Sequence, residues 1–319
     1  VTPPASGDVR RDLIRGVAFA LFFFSVSVFL PFVGFFFALF IPVPILFYRV
    51  KRGRRNGAII AGAAGGLMLL LLAGGPSGDG LFFFGLLLLG LALGEGLDQG
   101  LPVERTVLYA CGAVLGSAAV LVLFHASLSG VNLVPFLSDY IRQNLELSIA
   151  LYREMGVPPE QLDAIRNLLD LIHQTLLRLL PALAVSATLM VAWTTLLLGL
   201  SLLRVRAVPV PDPGPLNRWR VPEPLIWGVI GCGALSLAPD AGLRLAGING
   251  LIVLLTVYFF GGIAVVSFFF QKRRLPLALR FLFYALIAIQ QLLALIVVAI
   301  GLFDMWFNFR KLDVNEGED

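Results

Sequence analysis

Residues 245–270, LAGINGLIVLLTVYFFGGIAVVSFFF, contain no charged side chain and run directly into Gln271-Lys272-Arg273-Arg274. At 1.5 Å per residue, a helix of this length is more than long enough to cross a hydrocarbon core about 30 Å thick. An open strand would leave its backbone groups unpaired in lipid at several kcal/mol each, so the stretch can only be helical there. The basic run that ends it marks an inner face. The whole chain has this character: of 319 residues, 58% are hydrophobic and only 14% charged, too little charged surface to coat a water-soluble particle of this size. The 26 phenylalanines, with runs at 22–24, 35–37 and 82–84, read as lipid-facing and helix-packing bulk. The fold class expected is all-α, a polytopic transmembrane helical bundle.

Working outward, apolar runs predict further spans at about 13–30, 32–48, 57–72, 81–93, 106–124, 179–203, 225–237 and 277–303. That makes nine crossings, with eight as the alternative; 225–237 is short, either a steep crossing or a half-helix. Arg10, Arg11 and Arg15 precede the first run, and Phe29-Leu30-Pro31-Phe32 offers no small-residue cleavage site, so an uncleaved signal-anchor with a cytoplasmic N-terminus is expected. The clusters Arg49 to Arg55 and Lys272 to Arg280 fall on the same side by alternation. A net charge of +4 carried in such clusters sets topology and does not indicate nucleic acid. Localisation in a bacterial cytoplasmic membrane follows, with membrane lipids as the obligatory partners.

Between 132 and 178 the pattern changes. Ile141, Leu145, Ser148 and Tyr152, then Leu162, Ile165, Leu169, Ile172 and Leu176, recur at helical spacing with charges between them. Two amphipathic helices are predicted, the first stopped by Gly156 and the second started by Pro158-Pro159-Glu160. The predicted segments are therefore 1–126, a five-helix membrane bundle; 127–180, an extracytoplasmic amphipathic insert; and 181–319, the C-terminal helices, including a Pro/Arg-rich cytoplasmic linker at 204–224.

Three stretches carry a resemblance: Leu30-Pro31-Phe32-Val33-Gly34 with Ile41-Pro42-Val43-Pro44; Arg218-Trp219-Arg220-Val221-Pro222 leading to Ile226-Trp227; and Phe303-Asp304-Met305-Trp306-Phe307-Asn308-Phe309-Arg310-Lys311. Together they resemble the YybS-like family of predicted bacterial membrane proteins over nearly the whole chain. The N-terminal third is also similar to the substrate-binding S-components of energy-coupling-factor transporters, with a Pro-containing early helix, a basic loop and a Gly-rich helix. That resemblance implies a small ligand held among the helices. The first helix has Gly16 and Ala20 but lacks the Ala-xxx-Ala pair with which S-components dock their coupling subunit.

Motifs for chemistry are missing from the residues. His125 and His173 have no Cys, Asp or Glu at metal-ligand spacing, and there is no nucleophile elbow or phosphate loop, so neither an enzyme, a metal site nor a cofactor is expected. Cys111 and Cys232 lie in apolar runs as small buried side chains. Gly62/Gly66, Gly90/Gly94 and Gly112/Gly116 are expected to be packing seams.

Polar residues within spans carry more information, since they must face a partner or water. Asn249, Gln290 and Gln291 are ligand-binding candidates, as a polar pocket or as plain interhelical hydrogen bonds. Pro42 and Pro44 join them as an interruption of the second helix. Glu95 and Asp98, placed just beyond the fourth span, are candidate ion or proton sites, against a solvated loop. Asp304, at a helix end where the dipole disfavours an anion, is expected to pair with an arginine of another helix. Trp306, Phe309, Arg310 and Lys311 read as membrane-interface anchors. Two functions remain: binding or transport of a small hydrophobic or amphipathic ligand, or a non-transporting scaffold or regulator contacting a membrane protein partner. A closed polar cavity would favour the first.

Overall fold

The computed structural model describes residues 6–72, 79–129, 133–209, 214 and 216–310; the predicted turn at 74–78, Lys311 and the acidic stretch 313–319 lie outside them. Every regular element among the described residues is helical: α1 (Ser6–Phe29), α2 (Pro31–Ala38), α3 (Pro42–Arg52), α4 (Arg54–Leu72), α5 (Asp79–Asp98), α6 (Val103–Ser129), α7 (Leu133–Glu154), α8 (Pro159–Val205), α9 (Leu225–Ser236), α10 (Ala241–Lys272), α11 (Leu277–Ile289) and α12 (Gln291–Phe307), with a short 3-10 turn at Leu216–Arg218. The chain is thus an all-α membrane protein.

By length and composition, six of these helices can cross a membrane, or seven if α11 and α12 count as one bent span. Nine predicted runs do not give nine long helices, for a local reason in each case. The run at 32–48 is broken at residues 39–41, where Pro42 and Pro44 allow helix only from their own position onward. α9 has 12 residues. The last run turns by 102° between α11 and α12.

The chain forms two compact units, 1–125 with 187–213 and 126–186 with 214–319. This division differs from the three predicted segments because the second amphipathic helix and the sixth span are one 47-residue helix, α8, which starts in one unit and ends in the other.

In the first unit, α2 and α3 together run back along α1: Gly34 lies against the Ser27 backbone and Gly16 against Tyr48. The break between α2 and α3 is closed by short-range bonds, Phe40 N–H to Phe37 O and Ile41 N–H to Ala38 O. α3 is buried along nearly its whole length, Pro42 to Arg49. It lies on α5, where the missing side chains of Gly90 and Gly94 leave room for Pro42 O with Ile45 and for the Arg49 stem. Of the three predicted glycine seams this is the one that packs; Gly62, Gly66, Gly112 and Gly116 have nothing within 4 Å of an added Cβ. Phe24 meets Phe83 edge-on at 4.7 Å, and Leu196, Leu200 and Leu203 of α8 complete the core.

In the second unit, α9 folds back on α10, with Gly247 under the Cys232–Ser236 backbone and Gly228 against Leu254. α12 lies on α10 through Gly262 against Val297 and Gly301 against Tyr258. Residues 216–221, part of the predicted Pro/Arg-rich linker, run along α10: the Asn217 carboxamide donates to Gln271 Oε1 (2.8 Å), and Val221 packs on Gly261. The apolar contact of Val221 with α10 and the Asn217–Gln271 bond hold this stretch there.

α7 and α8 reproduce the predicted amphipathic pair, with Gly156 at φ 79° between them and Pro159 at the first turn of α8. Pro181 lies within α8, and the helix continues through it. The Arg178–Ala182 rung next to the proline is held by Asn249 of α10: its Oδ1 accepts from Ala182 N–H (3.1 Å) and its Nδ2 donates to Arg178 O (3.2 Å). Asn249→Leu is therefore expected to cost about 2 kcal/mol, by stranding two backbone groups beside a proline, and to loosen α8 at residue 181. Hydrogen exchange at residues 178–185 that matches the parent chain would refute this role.

Candidate functional site

The predicted polar residues are brought together with partners that their sequence positions do not reveal. α5 runs to Asp98, so Glu95 and Asp98 lie one turn apart on a helix and not in a loop beyond it. Both face Arg49 of α3, which is 3% exposed: one guanidinium nitrogen bonds Glu95 and the other Asp98 at 2.6 Å. Gly57 and Gly94 flank the Arg49 stem. Two carboxylates on one buried cation brace α3 to α5 with a net charge of −1, which Arg54, 3.5 Å from Glu95 at the start of α4, balances. A second brace joins α1 to α3: buried Asp12 takes Lys51 at 2.7 Å and Arg52 at 2.6 Å. Basic clusters of this kind set topology, but here Arg49 also builds the core; the sequence signal for it is the glycine at 94, which leaves room for a long side chain.

Asp304 pairs with Arg310 at 2.6 Å, and both are buried, at 6% and 4% exposure. The expected partner on another helix is thus replaced by one just past the end of the same helix. Asn308, in left-handed conformation at φ 40°, reverses the chain and brings Arg310 back. Arg310 was read as a snorkelling anchor, and this is corrected: its guanidinium points inward and donates to the carbonyls of Asn217 (2.8 Å) and Trp219 (2.9 Å). It thereby ties this stretch to the end of α12. Trp306 and Phe309 remain exposed, as interfacial side chains are.

Asn249 does not share a pocket with Gln290 or Gln291; its carboxamide is taken up by α8, and no hydrogen bond joins it to either glutamine among the described residues. Gln290 and Gln291 are exposed at the break between α11 and α12. Pro42 and Pro44 are buried at the start of α3. His173 meets Ser138 of α7 at 3.1 Å. No group of three or more His, Cys, Asp or Glu fit for a metal occurs among the described residues.

A recess of about 280 Å³ opens in the second unit, lined by Val265, Val266, Phe269, Phe270, Ile300 and Phe309. Its walls are wholly apolar and it is open to one side. Lys272, Arg273 and Arg274 follow its lining directly in sequence, are exposed, and carry no ion pair among the described residues. An apolar trough ending at free cations suits a molecule with a hydrocarbon part and an anionic head.

A family model described as "Predicted membrane protein (DUF2232)" matches residues 17–305, and the chain belongs to this family. No curated protein and no solved structure matches it.

Proposed function

Starting from that membership, we propose that the chain binds a small amphipathic molecule in the plane of a bacterial cytoplasmic membrane, as a protein of the transport class. The carrying observation is the apolar recess between α10 and α12, whose lining residue Phe270 is followed closely in sequence by the exposed cations Lys272, Arg273 and Arg274. The hydrocarbon part lies against Phe269, Phe270 and Ile300; the head meets the cations at the membrane surface. By the distribution of basic residues this surface is the cytoplasmic one, and the N-terminus is cytoplasmic. The reading calls for no catalytic step, cofactor or metal.

The test is a thermal-shift titration of the full chain in detergent, with anionic and zwitterionic amphiphiles of one chain length. A ligand at 100 times its dissociation constant adds about 2.7 kcal/mol of stability. Ile300→Trp, which fills the recess, is expected to abolish the shift. Arg273→Gln with Arg274→Gln is expected to weaken the anionic ligand at least tenfold and leave the zwitterionic one unchanged. A shift that Ile300→Trp leaves intact would overturn the reading.

A second reading, a non-transporting scaffold or regulator, is favoured by one separate observation. Leu147 and Leu151 of α7, Met155 just past its end, and Leu168 and Leu171 of α8 expose apolar surface along the amphipathic pair.

A further inference from the structure

The last two helices pose a topological question: a bent pair at the end of an apolar run can complete a crossing or turn back. Their contacts decide it. α11 leaves the end of α10 through a four-residue turn, with Leu275 N–H bonded to Phe270 O and Arg280 Nε donating to Leu275 O at 2.9 Å. Phe283 and Tyr284 of α11 lie 5.4 and 5.5 Å from the Phe270 ring. The far end of α12 returns to the same turn of α10. Phe309 lines the recess with Phe269 and Phe270, and Arg310 donates to Asn217 O while the Asn217 carboxamide donates to Gln271. Gly301 lies against Tyr258 and Gly262 of α10, and Phe309, eight residues on, lines the recess with Phe269 and Phe270, so the last part of α12 runs toward the Lys272 end of α10. A crossing helix would run the other way and finish beside the start of α10.

We propose that α11 and α12 form a re-entrant hairpin, which enters the membrane from the side of Lys272–Arg274 and returns to it, with Gln290 and Gln291 at a water-accessible apex. Arms of 13 and 17 residues are about 20 and 25 Å long. Joined at a 102° turn, they carry the apex roughly half-way into a core about 30 Å thick. Two exposed carboxamides are concentrated there. The helix break adds the last carbonyls of α11 and the first amides of α12, which have no place in either helix's own ladder, and no side chain caps α12. Such backbone at depth persists where it is buried in protein or lines water, and Gln290 and Gln291 are not buried. Ile289 and Leu292 flank them, exposed in the same way as the lipid-facing Leu286 and Leu295. The inference does not depend on the proposed amphipathic ligand.

The experiment is cysteine accessibility in the full chain with Cys111→Ala and Cys232→Ala. Single cysteines replace Arg274, Leu286, Gln290, Gln291, Leu295 and Lys311, in sealed vesicles of either orientation, and a membrane-impermeant charged thiosulfonate is the probe. Variants are compared only where their thermal unfolding matches the parent; Gln291→Cys stands in if Gln290→Cys fails to fold. Arg274→Cys and Lys311→Cys are expected to label from one and the same side, and the glutamine positions at least tenfold faster than Leu286→Cys or Leu295→Cys. Labelling of positions 274 and 311 from opposite sides would make the pair a crossing and overturn the hairpin. Labelling at 290 and 291 as slow as at the leucines would overturn the aqueous apex.

Discussion

Gly262→Val is expected to destabilise the second unit by about 3 kcal/mol or more, the upper part of the range for overpacking. A Cβ at this position would overlap the carbonyl oxygen of Val297, and one at Gly301 would overlap that of Tyr258. In each case the obstacle is backbone, which cannot change rotamer to make room. The helices must separate, losing the close packing that substitutes for hydrophobic driving force between helices in lipid. The recess lined by Val265 and Ile300 would change shape in the same step, so binding of the proposed amphiphile is expected to fall together with stability. Thermal unfolding in detergent measures this as a fall of about 6 °C or more. Gly66→Ala is the control, since nothing lies within 4 Å of its added methyl, and it is expected to be neutral or slightly stabilising. A Gly262→Val chain with the parent's melting temperature would mean that α10 and α12 are not in backbone contact.

Asp304→Leu is expected to cost about 3–5 kcal/mol, because it leaves the Arg310 guanidinium buried without its counter-charge. The double variant, Asp304→Leu with Arg310→Met, separates two roles for the arginine. If the pair existed only to neutralise itself, removing both charges would restore most of the stability. Arg310 also donates to the carbonyls of Asn217 and Trp219. The double variant is therefore expected to remain about 2 kcal/mol below the parent, with residues 216–221 exchanging faster with solvent. Full recovery in the double variant would reduce the arginine to a counter-ion; an unaffected Asp304→Leu would remove the pair from the account altogether.

Much of the architecture is legible in the chain, because the signal for a membrane helix is local. Residues 245–270 need no partner to be read as helix, and α10 extends this run by a few residues at either end. Gly156 and Pro159 place the boundary between α7 and α8 for equally local reasons, a backbone free to adopt positive φ and a ring suited to the first helical turn. The site is far less legible. Whether Asn249 holds a ligand or a neighbouring helix depends on Pro181, 68 positions earlier, and on which faces of α8 and α10 meet. Glycine pairs illustrate the same gap: Gly90/Gly94 and Gly62/Gly66 have the same spacing, yet only the first has a helix against it.

By itself, then, the sequence determined that this protein is helical, that it lives in a membrane and which stretches form its helices, since each of these follows from the free energy of a short segment in lipid. The tertiary structure alone decided which polar groups neutralise one another. It set Arg49 on Glu95 and Asp98, turned Arg310 inward to Asp304 and the carbonyls of Asn217 and Trp219, and left Gln290 and Gln291 uncovered. A buried charge or an unpaired carbonyl is satisfied by whichever donor the packing brings within about 3 Å, and packing is a property of the assembled helices.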